Sequence, residues 1–272
     1  MARIFWAEDD GLPAGDRGAA YGDGLFETIL MRGQQGALVA RHLERMVRDA
    51  TRLGIPVTRR QLQDAYAQAV NRYGDASSAA PWVLKLVLTR GAGGRGYRPD
   101  PGMEPNLQIQ AAPAPPPPDP DGVDVEFSRV PLTVNPLLAG IKSLNRLEQV
   151  MAAREIQDGL FEVIQSNARG ELVEGSRTNL LLATDAGWFS PPRADLAVVG
   201  VMRQWVLERL RARGEQVTES PILPEHVLGD GCRGFYLLNS VLGVVSVGRL
   251  AGQDLPVDGG LATICDPLQT LE

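Results

Sequence analysis

Apolar and polar positions alternate at two different periods along the chain, and the period sorts its segments into strands and helices. Gly24 to Met31 reads as a strand running into a turn at Arg32-Gly33. Arg41 to Leu53 places Leu43, Met46, Val47, Ala50 and Leu53 on one face at helical spacing, and Leu62 to Tyr73 is a second helix of that kind, stopped by Gly74. Trp82 to Thr89 reads as a largely buried strand with Lys85 its single charge. The second half is expected to hold a strand at Val123 to Phe127, a helix from Leu144 to Gln157, and strands near Phe161 to Asn167 and Leu180 to Thr184. A helix from Met202 to Arg213 and a strand from Gly234 to Leu238 follow.

Between the halves lies a proline-rich stretch, Pro113 to Pro120, which can form neither helix nor central strand and is expected to be extended. It divides the chain into a small N-terminal α/β domain (1–112), a linker (113–121) and a larger C-terminal domain (122–272). No internal repeat or heptad pattern is visible. The expected architecture is α+β in two domains, with a site in the cleft between them.

Composition narrows the function. With 272 residues and 44% apolar content, a sizeable core can be buried. A formal net charge of -6 gives no reason to expect nucleic acid or an anionic membrane as partner. The N-terminus has no basic region followed by an apolar stretch, and nowhere are about 18 apolar residues consecutive, so a cytoplasmic protein is expected. Two cysteines (Cys232, Cys265) and two histidines (His42, His226) offer no disulfide framework and no metal site at recognisable spacing, and packing or surface roles are expected of all four.

Of the 27 basic residues only Lys85 and Lys142 are lysines. Arginine can neither form an imine nor release a proton near neutral pH, so these two stand out. Lys142 lies in Gly140-Ile-Lys-Ser-Leu-Asn-Arg at the junction of a loop and a helix, with a glycine two residues upstream that allows close backbone approach. By itself it is better explained as a solvated lysine. Glu174, in Leu172-Val-Glu-Gly-Ser-Arg-Thr-Asn, is a carboxylate suited to keep a pyridine nitrogen protonated, or else a turn residue closing a hairpin. Val199-Gly-Val-Met opens a helix with no competing side-chain cap, which leaves backbone N–H groups and the positive dipole end for a phosphate; Arg45 is a candidate fixed charge for the same group. Gly91-Ala-Gly-Gly-Arg-Gly matches a dinucleotide fingerprint, but Tyr97-Arg-Pro-Asp-Pro-Gly cannot continue as the helix such a fingerprint opens. The glycines are expected to form a mobile loop displaying Arg95 and Tyr97.

Together these residues resemble the class IV pyridoxal-phosphate enzymes, which include branched-chain aminotransferase, D-amino acid aminotransferase and 4-amino-4-deoxychorismate lyase. The resemblance runs from Asp16-Arg-Gly-Ala-Ala-Tyr-Gly-Asp-Gly-Leu-Phe-Glu-Thr to Asn239-Ser-Val-Leu-Gly-Val-Val-Ser-Val. It implies the two-domain fold-type IV architecture, like that of D-amino acid aminotransferase. Arg41-His-Leu-Glu-Arg looks like the phosphate-arginine helix, which implies Arg45 as phosphate ligand. Lys142 matches the Schiff-base lysine, Glu174 the partner of the pyridine nitrogen, and Val201 and Met202 the backbone phosphate donors; Ser240 sits in the loop that supplies a nearby hydroxyl.

Lys142-Ser-Leu-Asn-Arg-Leu-Glu-Gln-Val, and Leu84-Lys-Leu-Val-Leu-Thr-Arg-Gly followed by Gly94-Arg-Gly-Tyr, are similar to the lyase segments, although Ser143 stands where many lyases carry histidine. The resemblance thus implies pyridoxal 5'-phosphate as cofactor. It implies 4-amino-4-deoxychorismate as substrate, p-aminobenzoate and pyruvate as products, and a homodimer. Lys142 and Thr28 are the expected catalytic residues; Lys85, Arg95, Tyr97 and Asn239 are expected to meet the substrate. An aminotransferase of the same fold, and a binding protein that has kept the shape without the chemistry, are the competing readings.

Overall fold

The computed structural model describes residues 2–75, 80–94 and 96–272. The chain forms two compact units. The first comprises Met1–Ala114, Lys142–Asn145 and Pro267–Glu272; the second comprises Pro115–Ile141 and Arg146–Asp266.

Unit 1 contains β1 (Arg3–Trp6), α1 (Arg17–Tyr21), β2 (Gly24–Arg32), β3 (Gln35–Gly36), α2 (Val39–Leu53), α3 (Arg59–Tyr73), β4 (Pro81–Thr89) and β5 (Asn106–Pro113). Its sheet has the order β1-β5-β4-β2-β3. β2 and β4 pair antiparallel along their whole length, from Gly24 opposite Thr89 to Arg32 opposite Pro81. Alternation along β2 buries Leu25, Glu27, Ile29 and Met31 toward the α2 side and turns Phe26 and Thr28 to the other face. The buried face of α2 is wider than its apolar stripe, because His42, Arg45 and Asp49 are buried as well. α3 begins at Arg59, ahead of its first apolar residue, because Thr58 and Gln61 form a capping box.

Lys142–Asn145, far from unit 1 in sequence, belongs to it because the segment lies along the β2 strand. Phe26 N donates to Lys142 O at 3.0 Å, and Leu144 N donates to Gly24 O at 3.0 Å. Pinned in this way, residues 142–144 cannot be helical, so the helix expected from Leu144 starts at Leu147 and already ends at Ala153.

Unit 2 contains β6 (Val123–Phe127), α4 (Leu147–Ala153), β7 (Glu162–Ser166), β8 (Leu172–Gly175), β9 (Asn179–Thr184), β10 (Gly187–Ser190), α5 (Val201–Ala212), β11 (Val217–Glu219), α6 (Pro224–Leu228), β12 (Cys232–Asn239), β13 (Gly243–Leu250), β14 (Gln253–Asp254) and α7 (Gly260–Ile264). The path β9-β12-β13-β6-β7-β8 returns to β9, so six strands close into a barrel. Leu180 and Leu182, Phe235 and Leu237, and Val245 and Val247 alternate into one core with Val125, Ile164 and Leu172. The intervening Leu181, Tyr236 and Leu238 are buried too, and α5 packs on β12.

Candidate active site

In unit 1 the polar groups gather around Phe26. Lys142 Nζ lies 4.2 Å from the centre of the Phe26 ring and Lys85 Nζ lies 5.8 Å from it. Thr28, two residues along the same strand face, pairs directly with Lys85 across β2 and β4. The only two lysines of the sequence therefore share one aromatic side chain, with a hydroxyl on the same face. Lys85 is exposed and Lys142 half-buried. The backbone of Lys142 is fixed twice, since its N–H donates to Asp49 Oδ2 at 3.2 Å and its carbonyl accepts from Phe26.

Behind that face a charged cluster is sealed from water. Glu27 accepts from Arg45 Nε at 2.7 Å and Arg45 Nη2 at 2.6 Å, and meets His42 Nδ1 at 2.6 Å. Burial pushes the Glu27 carboxyl up, but the Arg45 guanidinium and His42 outweigh it and hold its pKa at about 2. For His42 the balance is reversed: burial, only partly offset by Glu27, pushes its pKa down. A neutral ring donating from Nδ1 satisfies Glu27, and it avoids placing a proton on Nε2, which has no partner among the described residues. Arg45 is thus locked by a bidentate pair with Glu27.

In unit 2, Glu174 is 3% exposed. Its Oε2 accepts from Val198 N at 3.2 Å and from Asn179 Nδ2 at 3.4 Å. Asn179 Oδ1 in turn accepts from Gly200 N at 3.0 Å, at the start of α5. No side chain caps α5, and the first N–H groups of a helix, here Val201 and Met202, have no intrahelical acceptor. Gly200 must lack a side chain, because a Cβ there would collide with Asn179 Oδ1. Upstream, Gly140 has φ +76° and packs against Val199, with Gly140 N donating to Leu196 O and Val199 N to Gly140 O. The glycine ahead of Lys142 is thus needed for a close backbone approach. Arg146 is an additional, half-buried cation; burial pushes its pKa down, and Glu174 and Glu148 oppose that shift.

Tyr97, Asn239 and Ser240 stand on other segments of the chain. Ser240 and Asn239 lie where β12 turns into β13, and Asn239 Oδ1 is taken up by Val241 N and Leu242 N. A substrate contact from Asn239 has to use its Nδ2. Tyr97 is 85% exposed and meets Tyr21 edge-on at 5.4 Å. Arg95 lies outside the described residues. The glycine loop is tethered by the buried Arg17, which donates to Gly96 O at 2.9 Å and Tyr97 O at 2.7 Å.

Sequence patterns did not mark Glu27, His42, Asp49, Asn179 or Arg146 as parts of the site. Four of them stood in segments already recognised: Glu27 within Leu-Phe-Glu-Thr, His42 within Arg41-His-Leu-Glu-Arg, Arg146 at the end of Lys142-Ser-Leu-Asn-Arg, and Asn179 within the stretch following Glu174.

Each unit offers donors of a kind that pyridoxal phosphate needs. Unit 1 has a lysine held at its backbone; unit 2 has a buried carboxylate steadied by an amide and a main-chain N–H, and a helix start shaped around a glycine. The family model for class IV amino-transferases matches residues 24–250. The chain is 30% identical to the aminodeoxychorismate lyase of Vibrio harveyi, with 98% of each chain covered. Among solved structures it superposes on 4-amino-4-deoxychorismate lyase from Pseudomonas aeruginosa with a TM-score of 0.85 and 35% identity, over 92% of this chain and 91% of that one. It also superposes on the pyridoxal-phosphate-bound form of a hypothetical aminotransferase from Mycobacterium tuberculosis, with a TM-score of 0.76 and 25% identity, over 94% and 90%. The two-sheet α+β architecture with a six-stranded barrel is that of the fold-type IV enzymes. By sequence match and by fold, the chain belongs to the class IV aminotransferase family.

Proposed function

We propose that this protein is an aminodeoxychorismate lyase that converts 4-amino-4-deoxychorismate to p-aminobenzoate and pyruvate. The observation that carries the reading is the pairing of Lys85 with Lys142 around Phe26, beside Thr28. A substrate with two carboxylates needs a cation near the reacting lysine, and Lys85, over the same aromatic ring as Lys142, is suited to supply one. The similarity to two lyases over nearly the whole chain supports the same assignment.

Pyridoxal phosphate, when bound, supplies an electron sink. Lys142 would hold it through Nζ, and the same Nζ, once free, would take the proton from the carbon bearing the substrate amine. Glu174 would keep a pyridine nitrogen protonated. The N–H groups of Val201 and Met202, with Arg45 and the Ser240 hydroxyl, would hold the phosphate. Lys85 would engage a carboxylate, with Arg95, Tyr97 and Asn239 as further substrate contacts, and the Thr28 hydroxyl or a bound water would protonate the departing enolpyruvyl group. Loss of that group aromatises the ring, which drives the reaction. The resemblance also carries a homodimer, which sedimentation velocity at micromolar concentration reads directly.

The rival reading is transamination of D- or branched-chain amino acids. Holoenzyme mixed with amino acid alone is expected to keep its absorption spectrum. Rapid, complete conversion to the pyridoxamine form, without pyruvate release, contradicts the lyase reading.

A further inference from the structure

We propose that Glu162 is a positioning residue that sets the site's carboxylate and its phosphate seat through one turn; this rests on the reading of Glu174 as the partner of a pyridine nitrogen. Glu162 is wholly buried at the start of β7, yet among the described residues its carboxylate pairs with no core cation. Its oxygens are instead spent on the turn joining β8 to β9. Oε1 accepts from Ser176 Oγ at 2.6 Å, Ser176 N at 3.1 Å and Val163 N at 3.1 Å. Oε2 accepts from Arg177 N at 3.2 Å and Thr178 Oγ1 at 3.2 Å. The half-exposed Arg177 lies at 3.8 Å and provides the nearest opposite charge.

Burying a carboxylate is costly, and an apolar side chain fills a core position at less cost. A carboxylate offers about four lone-pair sites, and here four of its five donors come from three consecutive residues. That concentration identifies what the charge is for. Gly175 leaves the room: a Cβ there would strike Thr178 Oγ1 and approach Glu162 Cγ to 2.8 Å. Gly175 N closes the turn onto Thr178 O at 2.8 Å.

The turn is bracketed by site residues. Glu174 precedes it, Asn179 follows it, and their register pairing is the rung by which β8 meets β9 and the barrel closes. Asn179 reaches Glu174 with its amide nitrogen and Gly200 N with its amide oxygen. A shift of the turn therefore displaces both the carboxylate and the start of α5.

The test compares wild type and Glu162→Gln, each reconstituted with pyridoxal phosphate labelled with 15N in the ring. It reads cofactor affinity and the 15N shift of the pyridine nitrogen at a temperature where circular dichroism shows both folded. The wild type is expected to carry a protonated nitrogen; the variant is expected to bind cofactor at least tenfold more weakly and to lose part of the protonated signal. Unchanged affinity and shift in the variant overturn the proposal while leaving the role of Glu174 intact. An unprotonated nitrogen in the wild type overturns the reading of Glu174, and the proposal with it. Should Glu162→Gln not fold, the double variant Ser176→Ala/Thr178→Ala removes two donors and leaves the carboxylate. A smaller change in the same two quantities is expected there, and no change overturns the proposal.

Discussion

Phe26 is approached by two cations whose partners differ, and that difference sets what each substitution does. Lys142 is held by its backbone against Asp49 and Phe26, whereas Lys85 rises from an exposed strand position. Lys85→Ala is expected to raise KM by about 10–100-fold, the worth of a charge-assisted hydrogen bond, and to leave the cofactor's absorbance intact. Loss of that absorbance counts against a substrate role. Glu27 predicts a pH effect. Its pKa in the folded protein, about 2, lies below its ordinary value of 4.5, so the unfolded chain binds the proton first. The stabilisation is complete above pH 4.5 and is lost as pH falls toward 2. His42, also shifted down, adds to the loss of stability below its ordinary value of 6.5. Glu27→Gln is expected to cost about 3–5 kcal/mol at neutral pH, because it leaves the buried Arg45 charge without its counter-ion. Urea unfolding across pH 2–7 checks both effects: the variant's curve is flatter between pH 4.5 and 2, and a curve parallel to wild type's rejects the assignment to Glu27. In the sequence Arg45 stood out as a candidate, and Glu27 and His42 lay inside recognised stretches, but nothing marked their pairing with one another. The helical spacing of Leu43, Met46 and Ala50 marks the buried face of α2, but the polar residues beside that stripe give no sign that they are buried too.

At the level of elements, the start of α5 carries a prediction of its own. Gly200→Ala forces a methyl into Asn179 Oδ1, and overpacking of this kind typically costs about 1–3 kcal/mol. The expected outcome is a lower melting temperature together with weaker cofactor binding; unimpaired binding would separate this helix start from the phosphate. The helix itself was readable from its periodicity to within one residue at each end. α4 was not, because its expected first turn is taken up by hydrogen bonds to β2 from residues more than a hundred positions away. The early start of α3 follows from the Thr58–Gln61 capping box, a local signal that the apolar spacing alone overlooks. β8 meets β9 through a single register pair, and so short an association leaves no periodic trace.

For the whole molecule, the strands of unit 2 read as apolar runs because residues on both faces are buried, as in Leu180, Leu181 and Leu182. Such runs identify strands but not their partners, so the closed barrel is visible only in the pairing of β8 with β9. The lysine, the acid and the helix-start glycine were legible because each stands out chemically from its surroundings. What holds them in place, from Asn179 to Glu162, was not, since buried polar residues look in sequence like surface ones. Among the described residues no helix is long and apolar enough to cross a membrane. The central claim is the reaction itself, and it is tested most directly by incubating the holoenzyme with 4-amino-4-deoxychorismate and following both products. Equal amounts of p-aminobenzoate and pyruvate, formed catalytically and abolished in Lys142→Ala, are the predicted result; consumption of bound cofactor by amino acids with neither product released would contradict it.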